Sequence, residues 1–281
     1  MEMQRKHGDN SKISKVFLDI HGDHLLVNTE NGELFYFGMR NTRLARGRPI
    51  LRISNIHIES IAWNADSTPS TTKEILIGTR DGAVLETYLE ISDYIPNSRY
   101  LRPLKTFSGS IVGLHVEKTG EIRDVVVATP LEVAVYSGRI GRKQGEITPV
   151  YGNFFDHANS GQFQELSGAS TNSKIAILPR ETSDPASGHA YYAWATSPGL
   201  FHGSVNQPSS PGDDSIFSNA TLISYATLFR PFTKGKPVLP ELSLFHILTL
   251  HENQLVAANR LNNQVVFTDT IPTVYLHEGT L

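Results

Sequence analysis

Two runs in this chain set histidine and carboxylate together in a way that resembles a metal motif. His21-Gly22-Asp23-His24 brings two imidazoles and a carboxylate into four consecutive residues, a donor set that suits zinc. The same residues also read as a corner between two apolar runs, because Gly-Asp is ordinary turn chemistry, and a turn is the expected role. His251-Glu-Asn-Gln-Leu starts like a zinc-helix motif, but Leu255 stands where the second histidine belongs, and the run has strand character. His246, in Ser-Leu-Phe-His-Ile, reads as a core or edge imidazole. The chain contains no cysteine, which excludes disulfides, thiolate metal sites and cysteine nucleophiles. Gly-x-Ser-x-Gly elbows, His-Glu-x-x-His helices and phosphate-binding Walker loops are all absent. No catalytic centre, metal or cofactor is therefore expected.

Two basic loops stand out instead. Arg40, Arg43, Arg46 and Arg48 crowd the run Met-Arg-Asn-Thr-Arg-Leu-Ala-Arg-Gly-Arg, and Arg139, Arg142 and Lys143 crowd Gly-Arg-Ile-Gly-Arg-Lys-Gln-Gly. They are candidates for contact with an acidic partner surface or with lipid headgroups, an attraction that salt screens. The remainder is nearly balanced: 25 basic and 28 acidic side chains give a formal charge of -3 over 281 residues. No global field draws the chain to nucleic acid. No segment approaches the ~20 apolar residues that cross a bilayer, and the start lacks the apolar stretch of a signal peptide. A cytosolic location is the expectation, and the sequon at Asn219 is read as a chance match.

The elements that must carry these residues repeat. His-Leu-Leu-Val-Asn-Thr-Glu-Asn-Gly-Glu-Leu-Phe-Tyr-Phe-Gly (24–38) has counterparts at 75–89, 124–138, 191–205 and 255–269, with corners at Thr29, Thr79, Thr129, Thr196 and Asn259. The period is about 50 residues and lengthens to about 65 in the later copies, where polar insertions at 180–190 and 206–219 intervene. Asn31-Gly32 and Asp81-Gly82 are pairs that tolerate the positive φ of tight hairpins. A further apolar run lies upstream and another downstream of each hairpin, giving about four strands per unit. That is the signature of an all-β propeller. The blades are expected near 15–53, 57–107, 110–155, 163–229 and 242–281, after a polar tail at 1–14. Both basic loops follow the third strand of their units and so share one rim region, two blades apart. Propellers hide their sheet edges by closing a ring. The polar tail offers no closing strand, so five blades are expected to be part of a larger, seven-bladed ring.

Six runs carry a family likeness: Lys15–Val27 (KVFLDIHGDHLLV), Glu59–Asn64 (ESIAWN), Ile75–Glu86 (ILIGTRDGAVLE), Tyr100–Phe107 (YLRPLKTF), Val125–Gly138 (VVVATPLEVAVYSG) and Asn263–Asp269 (NQVVFTD). In order, they resemble the amino-terminal propeller of the deep orange family of vacuolar sorting proteins. The resemblance implies a subunit of the class C core shared by the HOPS and CORVET tethering complexes. Its partners would be the other class C subunits, and its location would be peripheral on late endosome and vacuole or lysosome membranes. In that family the propeller precedes an α-solenoid and a RING-type zinc module, and a chain without cysteine cannot build a RING. The likeness brings no catalytic motif, nucleic acid or small-molecule substrate.

Two other functions stay open at this point. Propellers also host hydrolases, and acids on innermost strands such as Asp19 and Glu117 could converge in the channel. A coat-type adaptor would instead bind short peptides in apolar grooves between blades.

Overall fold

Why the apolar runs become strands is visible in their composition. They are rich in Val, Ile, Leu, Phe and Tyr, which pack well on a pleated surface. The computed structural model describes residues 2–3, 12–40, 46–93, 95–140, 146–156, 161–165, 170, 173–178, 190–205, 216–234 and 236–272. Among the described residues it is built from five sheets, each a blade of a propeller with four antiparallel strands in sequence order.

Blade 1 comprises β2 (Ile13–Leu18), β3 (His24–Thr29), β4 (Leu34–Gly38) and β5 (Arg46–Pro49), with β1 (Glu2–Met3) outside them. Blade 2 is β6 (Ile58–Ala62), β7 (Thr71–Thr79), β8 (Ala83–Ser92) and β9 (Ile95–Thr106). Blade 3 is β10 (Gly113–Thr119), β11 (Ile122–Ala128), β12 (Glu132–Arg139) and β13 (Gly161–Glu165), with the one-turn helix α1 (Gly152–Asp156) before its last strand. Blade 4 is β14 (Lys174–Leu178), β15 (Ala190–Ala195), β16 (Gly199–Val205) and β17 (Phe217–Ser224), followed by the short α2 (Tyr225–Leu228). Blade 5 is β18 (Val238–Leu242), β19 (His246–His251), β20 (Gln254–Asn259) and β21 (Val265–Thr270).

Two boundaries differ from the sequence reading. Residues 1–14 are not wholly a tail, because β1 pairs parallel with β5 through Glu2↔Arg46 and Met3↔Gly47, and β2 already starts at Ile13. Side-chain polarity is no obstacle there, since an edge strand offers only its unpaired backbone groups. In blade 5 the corner at Asn259 joins the third and fourth strands, whereas Thr29, Thr79, Thr129 and Thr196 join the second and third. The cause is β18, an innermost strand placed before the run read as the start of the blade. The downstream run expected after Ile271 lies, beyond Pro272, outside the described residues.

Blades stack through alternating side chains. The first seam packs Leu26, Leu34 and Tyr36 against Ile58, Ile75, Ile77 and Leu85. The second joins Leu76 and Val84 to Ile111, Val125 and Tyr136. The third joins Val126 and Val135 to Ile175, Tyr192 and Trp194, and the fourth joins Ala193 and Leu200 to Val238, Ile247 and Val256. Burying one such Leu, Ile or Val contributes about 1.5–3 kcal/mol, so each seam outweighs any one polar contact across it. Close approach of inner strands requires small residues: a Cβ on Gly78 would lie 2.4 Å from Ser60 Oγ, and one on Gly113 would lie 2.4 Å from Ile175 Cγ2.

Among the described residues no buried cluster joins blade 5 to blade 1. The cross-strand row Leu248, Ala257 and Phe267 alternates with the residues that meet blade 4 and therefore faces the other way. Leu248 is 40% and Phe267 49% exposed; Val16 and Leu18 on blade 1 are 54% and 53% exposed.

Candidate functional site

His21-Gly22-Asp23-His24 is a turn that fastens blade 1 to blade 2. Asp19 is buried and accepts hydrogen bonds from the backbone N–H groups of Asp23 (2.6 Å) and His24 (2.7 Å), which folds the chain back after β2. Gly22 turns the corner at φ +69°. Ser67, from the loop after β6, donates to the other Asp19 oxygen at 3.3 Å. The Nε2–H of His21 donates to Ala65 O (3.0 Å), and that of His24 to Thr68 O (2.8 Å). With Nε2 protonated, His24 Nδ1 accepts from the Tyr36 hydroxyl at 3.0 Å. Burial, with Asp19 and Asp23 nearby, pushes the Tyr36 phenol well above its ordinary value. Asp23 takes an ion pair from Arg40. Both imidazoles thus spend their protons on backbone carbonyls of the next blade.

The other singled-out groups are similarly occupied. His251 Nε2 accepts from Thr233 N–H (3.2 Å), so its Nδ1 carries the proton and donates to Pro237 O (3.3 Å), with Phe229 and Phe232 packed on the ring. Glu117 Oε2 lies 3.1 Å from His115 Nε2. Asp19 and Glu117 are not brought together, each being held by partners of its own. Trp194 is buried in the third seam, and Trp63 stacks on His24 with centroids 6.4 Å apart. Among the described residues no group of three or more His, Asp or Glu has metal-binding geometry.

The densest charge cluster is one the sequence reading missed. Glu59, on innermost strand β6, gathers Lys15 Nζ from β2 (3.5 Å), Lys174 Nζ from β14 (3.8 Å) and Arg80 Nε from the corner after β7 (2.9 Å). Three blades therefore meet on one carboxylate beside the axis. Burial opposes ionisation of Glu59, but Lys15, the Arg80 hydrogen bond and Lys174 together hold it below its ordinary value. Lys174 is shifted downward by burial first and by Lys15 second, with Glu59 acting against them. Glu241 of β18 meets solvent, yet protein surrounds it on most sides; that enclosure raises its pKa, and Lys15 counters the rise. The strand register alone aligns the two lysines, Lys15 pairing with Asn28 and Lys174 with Ala195, in each case the residue before a blade corner.

The basic loops lie as far as they are described at equivalent places, after the third strands β4 and β12. Arg40 and Arg139 are exposed, Arg48 is half-buried, and Arg46 contributes its backbone to β5. Arg43, Arg142 and Lys143 lie outside the described residues.

The sequence matches the Pep3/Vps18/deep orange β-propeller domain over residues 1–279. It is 27% identical to vacuolar sorting protein 18 of Arabidopsis thaliana over 90% of this chain and 26% of that protein, and 28% identical to the vacuolar protein sorting-associated protein 18 homologue of Danio rerio over 100% of this chain and 28% of that protein. The chain thus spans about a quarter of the length of these relatives. Among solved structures it is similar to the WD40 domain of fission yeast SCAP (TM-score 0.50, 13% identity, 94% of this chain and 56% of that one) and to the RRP9 WD40 repeats (TM-score 0.52, 10% identity, 94% and 65%). Those two likenesses concern the fold alone. With a family domain that covers nearly every residue, and blades of the kind that domain is named for, the chain belongs to the Pep3/Vps18/deep orange β-propeller family.

Proposed function

We propose that this propeller is a non-catalytic platform for protein contacts in a vacuolar sorting subunit of the class C type, acting in the HOPS and CORVET tethering assemblies at late endosomal and vacuolar or lysosomal membranes. Membership of the family carries the reading, since both curated relatives are named for vacuolar sorting. The geometry supports it in a second way: the groups best suited to chemistry, Asp19, His21, His24 and His251, are spent on holding blades and turns together. The working surface in this reading is the rim, where Arg40, Arg46, Arg48 and Arg139, with Arg43, Arg142 and Lys143 of the same loops, meet acidic partner surface or headgroups. The apolar faces carrying Val16 and Leu18 at one end and Leu248 and Phe267 at the other receive further blades of a larger ring.

The test is co-purification. The tagged chain, expressed in cells that contain the class C subunits, is expected to retain them. Charge reversal by Arg139→Glu with Arg142→Glu is expected to reduce that recovery without altering the circular dichroism. A folded chain that recovers none of those subunits refutes the reading.

A further inference from the structure

Around Glu59 the charges do not balance. One carboxylate satisfies one positive charge, yet Lys15, Lys174 and Arg80 all point at it from within 4 Å. Glu241, on which Lys15 also acts, brings the sum among the described residues to three cations against two acids. A purely structural ion pair gains most from matched partners, because every cation gathered beyond the match adds repulsion and desolvation cost. Here two ammonium groups from blades 1 and 4 are held against the same oxygen, Glu59 Oε2.

Access is open as well. The side chains of Lys15 and Lys174 are 21% and 28% exposed and that of Arg80 is 56% exposed, while Glu59 beneath them is only 8% exposed. The carboxylate is the covered floor of the cluster and the cations are its solvent-facing side. Each ammonium carries three N–H donors and the guanidinium five, far more than two carboxylate oxygens accept. The floor also fixes the cations in place, so their side-chain entropy is already spent before a ligand arrives.

The geometry points to an oxyanion site at this cluster, where the innermost strands of three blades meet, taking a phosphate group, free or borne on a headgroup, between Lys15 and Lys174 with Arg80 at the edge. A tetrahedral phosphate suits the cluster better than a planar carboxylate does, because its oxygens can face both ammonium groups and the guanidinium at once, and as the monoanion it matches the one positive charge left over. The assignment does not depend on the tethering role, since it uses only the cluster's own geometry.

Titration calorimetry of the full chain with inorganic phosphate, at ionic strength held constant with chloride, tests it. Saturable binding is expected, weakened at least tenfold by Lys174→Gln and by Lys15→Gln and unchanged by Arg99→Gln on the outer strand of blade 2. Lysine NMR on the unaltered chain guards against a variant that fails to fold: phosphate is expected to raise the titration midpoint of the Lys174 ammonium. Sedimentation with phosphatidylcholine vesicles, with and without phosphatidylinositol phosphate, separates the two sources. Pelleting that inorganic phosphate displaces and Lys174→Gln abolishes identifies a headgroup, and phosphate binding without pelleting identifies the free ion. Absence of saturable binding, binding that both lysine variants retain, or an unmoved Lys174 midpoint overturns the assignment.

Discussion

Replacing Glu86 isolates the energetics of a buried carboxylate that links blade 2 to blade 3. Its side chain on β8 is 0% exposed, and it accepts from Val150 N–H (2.8 Å), Tyr151 N–H (3.1 Å) and the Tyr100 hydroxyl (2.9 Å). Truncation to alanine leaves three donors facing an apolar cavity, at about 1–3 kcal/mol each. Removing a desolvated charge offsets part of that, so a net loss of about 2–5 kcal/mol is expected. Glutamine keeps the shape and one acceptor oxygen but turns an NH2 toward a donor, at a cost of about 1–3 kcal/mol. The pH dependence separates this account from a simple contact count. Burial is the largest influence on Glu86 and raises its pKa despite the three donors. The folded state therefore binds its proton more readily than the unfolded state does, and this group adds stability as pH falls through the folded value toward the ordinary 4.5. Glutamine cannot titrate. Urea unfolding of both proteins at pH 7 and near pH 4.5 is expected to show the gap between wild type and Glu86→Gln widening on acidification. A gap that narrows would mean that the three donors hold the carboxylate down more strongly than burial lifts it, and the reasoning fails.

Glu59 has the opposite sign. Its folded value is lowered, so its contribution is present above 4.5 and lost as pH falls through the lower folded value; Glu59→Gln is expected to flatten that acid limb in a melting-temperature series. Gly113→Ala places a Cβ 2.4 Å from Ile175 Cγ2 in the third seam, and a loss of about 1–3 kcal/mol is expected in denaturant titration. Asp19→Ala removes the acceptor for two turn N–H groups and is expected to cost about 2–4 kcal/mol, partly restored by Asn, which keeps one oxygen. Leu248→Ser with Phe267→Ser is expected to cost this chain only about 1 kcal/mol, because 40% of Leu248 and 49% of Phe267 already meet water. In a longer chain whose added blades cover that face, the same pair is expected to cost about 2 kcal/mol or more. Equal effects in the two chains would count against further blades there.

What could be read from the sequence follows from the range over which each signal acts. Corners were legible because their chemistry is local: Gly32 and Gly82 sit at φ +77° and +89°, and a Cβ on Gly82 would come within 2.4 Å of Phe107 O, so Asn-Gly and Asp-Gly announce themselves in two letters. The turn role of residues 21–24 was legible for the same reason. Blade 5 slipped because its corner at Asn259 imitates the others locally, while the strand that shifts the count, Val238–Leu242, contains a proline and follows another at 237, a composition that demotes a run as strand.

The axial cluster was the hardest to see, and the obstacle is geometric. Lys15, Glu59 and Lys174 share no motif and stand far apart in the chain; they meet only because each sits in the first half of an innermost strand and those strands converge on one axis. Radial repetition has this consequence in general: a residue's position within its repeat fixes its distance from the axis, so positions that look unrelated along the chain become neighbours when aligned by blade. Stacking the repeats on their corners leaves Lys15 and Lys174 out of step, because the run 180–190 is inserted between Lys174 and its corner; the strand register is what puts both in one column, each opposite the residue before its corner. Two lysines in one column of a ring repel each other unless something answers them. In this chain Glu59 and Glu241 answer two charges of three, and the one left over once Arg80 is counted is what gives this end of the axis a chemistry of its own.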